Sequence, residues 1–297
     1  MRVRVIGTPM DLGADRRGVD IGVSAIRYAN LNTRLRSLGH SVHDIGNLVV
    51  PQPEGQPLGN SKLKYLGPIV QVCEELAKVV TETLEAGEFP LVLGGDHSIA
   101  LGSIAGVTRM HKNVGVIWID AHADFNTYET TPSGNIHGMN LAASVGIGES
   151  RLTNMGGWSP KVNKQNIVIV GARDLDPNEQ VRLRDHAIRV FTMSDIDQKG
   201  ISEVMRQAIT IAGQGNDGLH LSLDMDALDP KEAPGVGTPV KGGLTYREAH
   251  LAMEMIADSK QLVAMDVVEV NPILDRENAT ALLAVELVLS ALGKKIL

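Results

Sequence analysis

Three side chains of metal-ligand type, Asp120, His122 and Asp124, stand two residues apart where the apolar run Val114 to Ile119 ends, in VGVIWIDAHAD. On a continuing strand they would share one face, but a rise of about 3.3 Å per residue would set the outer two about 13 Å apart. Metal–oxygen and metal–nitrogen bonds are only about 2.0–2.2 Å long, so one ion cannot collect all three from an extended chain. Either the strand stops near Asp120 and the chain curls, or the three serve more than one ion.

Other apolar runs end in the same way. PLVLGG runs into Asp96 and His97, GLHLSL into Asp224 and Asp226, and LVAMDVV into Glu269. A single Asp after a strand is commonly a helix cap or turn former. Taken together, acids at the ends of apolar strands cost several kcal/mol if buried unpaired, and no neighbouring Lys or Arg compensates them. A divalent cation supplies the missing charge. Asp120, Asp124, Asp224 and Asp226 bring four negative charges, with His97 and His122 as neutral donors, so two ions balance what one would not. Paired ions sit about 3.5–4 Å apart, which lets an aspartate bridge them. A carboxylate-rich set with one histidine per ion suits Mn²⁺ better than zinc. Two ions sharing a water would make a hydroxide near neutral pH, and hydrolysis is then the natural reaction class.

The elements that must carry these residues alternate. Strand-type runs at Val3 to Gly7, His40 to Ile45, Pro90 to His97, Val114 to Asp124, Asn166 to Asp174, Arg189 to Met193, Gly218 to Asp226 and Leu262 to Pro272 are separated by helical patterns. Helices are expected over Ser24 to Ser37 with Ser24 as N-cap, Lys64 to Ala86, Ile99 to Met110, Asn178 to Asp185, Ile201 to Ile211, Tyr246 to Asp258 and Ala279 to Leu292. The Pro/Gly-rich stretch Val50 to Asn60 reads as a surface loop. Apolar strands alternating with helices predict an α/β fold, a single three-layer domain over residues 1–297 whose mostly parallel central sheet is covered by helices on both faces. Ligands of such sheets bind outside the carboxyl ends of the strands. That is the rim on which the acids and histidines fall.

Composition narrows the partners. The 297 residues carry a net charge of −7, which argues against nucleic acid or an anionic membrane surface. At 43% hydrophobic and 3% aromatic, the core must be built from aliphatic side chains. Cys73 is the only cysteine, which excludes an intrachain disulfide and a multi-cysteine zinc site; in QVCEELAKVV it reads as a small buried residue. No apolar run nears the roughly 20 residues needed to span a bilayer, and the first residues lack a secretory apolar region. A cytoplasmic, soluble protein is expected.

GGDHS (94–98), DAHADFN (120–126), SGNIHG (133–138) and SLDMDALDP (222–230) resemble the signatures of the ureohydrolase (arginase/agmatinase) family, nearest its bacterial arginase branch. RRGVD (16–20), GVGTPVKGGLTYRE (235–248) and EVNP (269–272) extend the match from end to end. The resemblance implies two Mn²⁺ ions, one held by His97, Asp120, Asp124 and Asp224, the other by Asp120, His122, Asp224 and Asp226, with Asp120 and Asp224 bridging. It implies that a metal-bridging hydroxide attacks the guanidinium carbon of L-arginine, giving L-ornithine and urea. Glu269 would pair with the guanidinium, Asp124 would move a proton to the departing amine, and His137 would shuttle protons.

Within the family, arginine differs from agmatine by its α-carboxylate, so an arginase needs polar donors at the far end of its pocket. Asn126, Ser133 and Asn135 resemble the carboxylate contacts, Asp176 the α-amino contact with Glu179 a weaker candidate, and Thr238 would face the guanidinium region. This pattern favours arginase; agmatinase or another guanidino hydrolase is the alternative, and a non-catalytic arginine-binding protein a more distant one. Relatives commonly have proline where Val23 stands and glycine where Ala227 stands, and Ala227 would strain the chain if that position needs a positive φ. The family suggests a homo-oligomer, a trimer or a pair of trimers.

Overall fold

The computed structural model describes residues 1–295. Eight strands form one sheet: β1 (Arg2–Thr8), β2 (Ser41–Asn47), β5 (Phe89–Gly94), β6 (Val114–Ile119), β7 (Ile167–Ala172), β8 (Arg189–Thr192), β9 (Gly218–Asp224) and β10 (Leu262–Val268). A hairpin of β3 (Gly59–Asn60) and β4 (Leu63–Lys64) lies apart from it. The sheet order is β2-β1-β5-β10-β9-β6-β7-β8, and every pairing is parallel.

Helices cover both faces, because the strands are apolar on both. On β6, Val114, Val116 and Trp118 enter one core and Ile117 and Ile119 the other, with the alternation a strand requires. One core packs under α1 (Gly22–Tyr28), α2 (Leu31–Ser37), α8 (Met193–Lys199), α9 (Ile201–Gly213), α10 (Tyr246–Ser259) and α11 (Ala279–Ala291). The other packs under α3 (Leu66–Glu85), α4 (Ala100–Met110), α5 (Asn140–Ser144), α6 (Ser150–Thr153) and α7 (Pro177–Asp185). This is the expected three-layer α/β architecture.

Local departures from the sequence reading have physical causes. The helix expected over Ser24 to Ser37 is two helices, broken where Asn30 takes a left-handed φ of 65°. Asn tolerates that conformation better than most residues. Ser24 therefore lies inside α1 and caps nothing. The short helices α5, α6 and α8 span only 5, 4 and 7 residues, too few for apolar periodicity to mark them in the sequence. Ala227 does not have a positive φ, so the missing glycine costs no strain there, and Val23 is a buried core residue of α1.

Sheet order decides where the chemistry meets. β5, β10, β9 and β6, the four strands that run into acids or histidines, are the contiguous centre of the sheet.

Candidate active site

The strand β6 ends at Ile119, and Asp124 turns the chain with a φ of 50°. Glu269 does the same after β10 with a φ of 65°. Both are sparsely populated conformations for residues other than glycine and cost on the order of 1–3 kcal/mol each. They bring the carboxylates back over the strand ends, so the three side chains of DAHAD gather where an extended segment would have spread them.

Two clusters result. His97 Nδ1 lies 3.1 Å from Asp120 Oδ2, 3.1 Å from Asp224 Oδ2 and 3.3 Å from Asp124 Oδ2. His122 Nδ1 lies 3.1 Å from Asp226 Oδ2 and 3.4 Å from Asp120 Oδ1. Asp120 faces one cluster with each oxygen. Asp224 belongs to the His97 group, and its Oδ1 accepts the Asp226 N–H at 2.7 Å. Asp226 also accepts from Thr238 Oγ1 at 2.8 Å. Thr238 thus touches a cluster acid directly.

Electrostatics make the cluster unstable as bare protein. Burial pushes the Asp124, Asp224 and Asp226 carboxyls upward, and the charge on Asp120 adds to each. Asp120 moves the other way: burial opposes its charge, but hydrogen bonds from His122 and His97 hold its carboxyl low. Burial would lower both histidines, yet the surrounding acids raise them. Among the described residues no Lys or Arg pairs with these four acids. Arg173, behind them, spends its donors on backbone carbonyls, those of Gly171, Asp226, Ala227, Leu228 and Val240. Within each of two groups, His97, Asp120 and Asp224, and Asp120, His122 and Asp226, the donor atoms all lie within 4.8 Å of one another. Oxygen-rich donors with one imidazole each fit divalent cations.

Above the acids opens a cleft of about 150 Å³, lined among others by His122, Asp124, Asn126, Ser133, Asn135, His137, Asp176, Glu179 and Thr238. Glu269 is buried and meets the cleft wall at His137; Oε1 accepts the His97 N–H at 2.9 Å and lies 3.2 Å from His137 Nδ1. Burial works against a charged His137, but the Glu269 hydrogen bond and charge raise its pKa overall. Asn126 donates to Asp176 Oδ2 at 2.9 Å, and Ser133 Oγ accepts the Asn135 N–H at 3.2 Å. Asn135 Oδ1 is buried without a partner among the described residues. Glu179 braces two loops, accepting the Phe125 N–H at 2.8 Å and the Asp176 N–H at 3.3 Å, and burial pushes it up to about 7.

Some site residues were not singled out from the sequence. Asp174 lines the cleft with its carboxylate 3.9 Å from His122 Nε2; the sequence reading picks Asp176 and Glu179 from the same loop and passes over it. Asn140 donates to the His97 and His137 carbonyls and, at 3.4 Å, to Asp124 Oδ2. Nothing in its sequence context marks it. Asp96 follows the sequence pattern but not into the clusters: it caps the turn after β5, accepting the Ser98 and Gly13 N–H groups.

Buried acids and imidazoles at the carboxyl rim of a parallel α/β sheet, opening to a small polar cleft, define an enzyme. Residues 1–293 match the family model described as the Arginase family. The curated arginase of Brevibacillus brevis is 55% identical over 293 residues, covering 99% of this chain and 98% of its own. The crystal structure of arginase from Bacillus cereus superposes with a TM-score of 0.96 at 52% identity over 100% of both chains. That of Entamoeba histolytica arginase, in complex with L-ornithine, gives 0.90 at 34% identity over 99% of each. The chain belongs to the arginase family and is a hydrolase.

Proposed function

We propose that this enzyme hydrolyses the guanidinium group of L-arginine to L-ornithine and urea with two Mn²⁺ ions. The observation that carries the reading is the pair of donor clusters sharing Asp120 beside a polar cleft, with a buried carboxylate, Glu269, against His97 and His137. One ion would be held by His97, Asp120, Asp124 and Asp224, the other by Asp120, His122, Asp224 and Asp226. When bound, the pair supplies Lewis acidity and a water acidified enough to act as nucleophile near neutral pH.

The chain's own residues do the rest. Glu269 Oε1 is engaged by His97 and His137, which leaves Oε2 to face the guanidinium; a Cβ on Gly237 would stand 3.1 Å from that oxygen, so glycine keeps its approach open. A buried carboxylate oxygen selects such a cation by charge-assisted hydrogen bonding. Asp124 moves a proton to the departing amine, and His137, at the cleft wall, carries protons between the site and solvent. Asn126, Ser133 and Asn135, all on the cleft wall, receive the α-carboxylate through their N–H and O–H donors. Asp176 takes the α-amino group with Glu179 behind it, and Thr238 holds Asp226 in place.

The whole chain acts as one catalytic domain. We assign it to the cytoplasm as a homo-oligomer, a trimer or hexamer; no helix among the described residues is long and apolar enough to cross a membrane. Urea release from arginine and from agmatine, each at equal concentration with added Mn²⁺, tests the substrate. Faster turnover of agmatine would replace arginase by agmatinase, and tight arginine binding without urea would replace catalysis by binding.

A further inference from the structure

Behind His97 lies a buried acid for which the proposed reaction has no use. Strand register builds its surroundings: Trp118 on β6, Ser222 on β9 and Asp266 on β10 are direct partners in one row across three adjacent strands. The His97 ring stacks on Trp118 with centroids 3.9 Å apart and planes at 7°. Its Nε2 lies 2.8 Å from Ser222 Oγ, which in turn donates to Asp266 Oδ2 at a long 3.5 Å. The same oxygen accepts from Ser103 Oγ on α4 at 2.6 Å and lies 2.9 Å from His220 Nε2.

Direction follows from the ligand role of the ring. Nδ1 faces three carboxylates, so to offer a lone pair there the ring must keep its proton on Nε2. That proton goes to Ser222 Oγ, and the hydroxyl proton is then free to point at Asp266. Packing does not account for the acid. Asp266 is 0% exposed, and among the described residues neither its Oδ1 nor His220 Nδ1 has a partner, an arrangement that costs stability relative to an apolar side chain of similar volume. His122 differs among the described residues: its ring is 26% exposed, and its Nε2 has the Asp174 carboxylate at 3.9 Å as its polar neighbour.

We infer that Asp266, acting through Ser222, is a positioning residue that fixes the tautomer and ring orientation of His97 and so sets the affinity of the ion at the His97 cluster alone. This rests on the two-ion reading above. Outer hydrogen bonds of this kind are worth about 10–100-fold in metal affinity.

The test is a calorimetric titration of the metal-free full chain with Mn²⁺, with thermal melting of the same samples as the check on folding. Wild type takes up two ions. Ser222→Ala weakens one dissociation constant by about 10–100-fold and leaves the other unchanged; Ser222→Thr, which keeps the hydroxyl, stays near wild type. Asp266→Asn weakens the same constant as Ser222→Ala, and a folded Asp266→Asn with two wild-type constants overturns the inference; if Asp266→Asn fails to fold, the smaller Asp266→Ser is titrated in its place. Two unchanged constants in Ser222→Ala, equal weakening of both, or a Ser222→Thr as weak as Ser222→Ala overturns the inference and leaves the two-ion reading standing. A folded wild type that binds no Mn²⁺ overturns both.

Discussion

At the scale of single residues, Asp120 and Glu269 carry the most consequence. Among the described residues Asp120 is the one acid that faces both histidines. Asp120→Ala should bring metal content in the purified enzyme well below two ions per chain and urea release down by at least about 100-fold; an active variant that still holds two ions by elemental analysis would sink the assignment. Glu269→Gln keeps the shape and an acceptor for the His97 N–H but removes the charge offered to the guanidinium. A fall in kcat/KM of about 10²–10³-fold with metal content intact is expected, and loss of metal instead would make Glu269 a structural brace. Asn135→Ala isolates the far end of the cleft. Removing a hydrogen bond to a charged group costs about 1.5–3 kcal/mol, so KM for arginine should rise about tenfold or more while agmatine, which has no carboxylate, is handled as before.

At the scale of elements, the site depends on how closely the loop after β1 packs on the turn after β5. Gly95 stands between β5 and the Asp96–His97 turn, and a Cβ there would overlap the Met10 backbone. Gly95→Ala should lower stability by about 1–3 kcal/mol through forced backbone movement, read as a lower denaturant midpoint. Gly55→Ala, on a surface turn with open space around it, is the control that should not move. The same turns explain what was readable beforehand. Acids at strand ends interrupt apolar runs visibly, so the rim, the parallel sheet and the residues gathered there could be read from the chain. The break at Asn30 could not, because one left-handed residue inside an otherwise helical apolar pattern leaves no periodic trace. Asp266 and Ser222 escaped notice for another reason. Each sits inside a strand among apolar neighbours, and their meaning comes from register with Trp118 and from Ser103, which is 163 residues away from Asp266 along the chain.

At the scale of the whole molecule, the buried acids make stability depend on pH in opposite senses with and without metal. Asp124, Asp224 and Asp226 have carboxyls raised above their ordinary 3.8, so the folded metal-free protein holds protons that the unfolded chain has released, and stability falls as pH rises above about 4. His97 and His122, raised above 6.5, act in the same direction: their contribution is complete below that value and fades as pH climbs through the folded one. Asp120, held low, contributes oppositely, but its gain is complete by about pH 5. So are those of the depressed surface acids Asp44, Asp195 and Asp229. Asp11 and Glu179, both pushed up to about 7 chiefly by burial, add a decline that metal does not remove. Bound cations reverse the cluster's share, since they require its acids and imidazoles deprotonated and bind more tightly as pH rises; occupancy at 100 times Kd adds about 2.7 kcal/mol per site. Lys161, pushed down to about 8 by burial, and His186 and His250, lowered by it as well, act the other way but are common to both forms. Melting curves from pH 5 to 8 should therefore show a gap between the chelated and the Mn²⁺-loaded protein that widens steadily toward pH 8. Parallel profiles with a constant gap would mean that these six side chains do not share their charge with a metal.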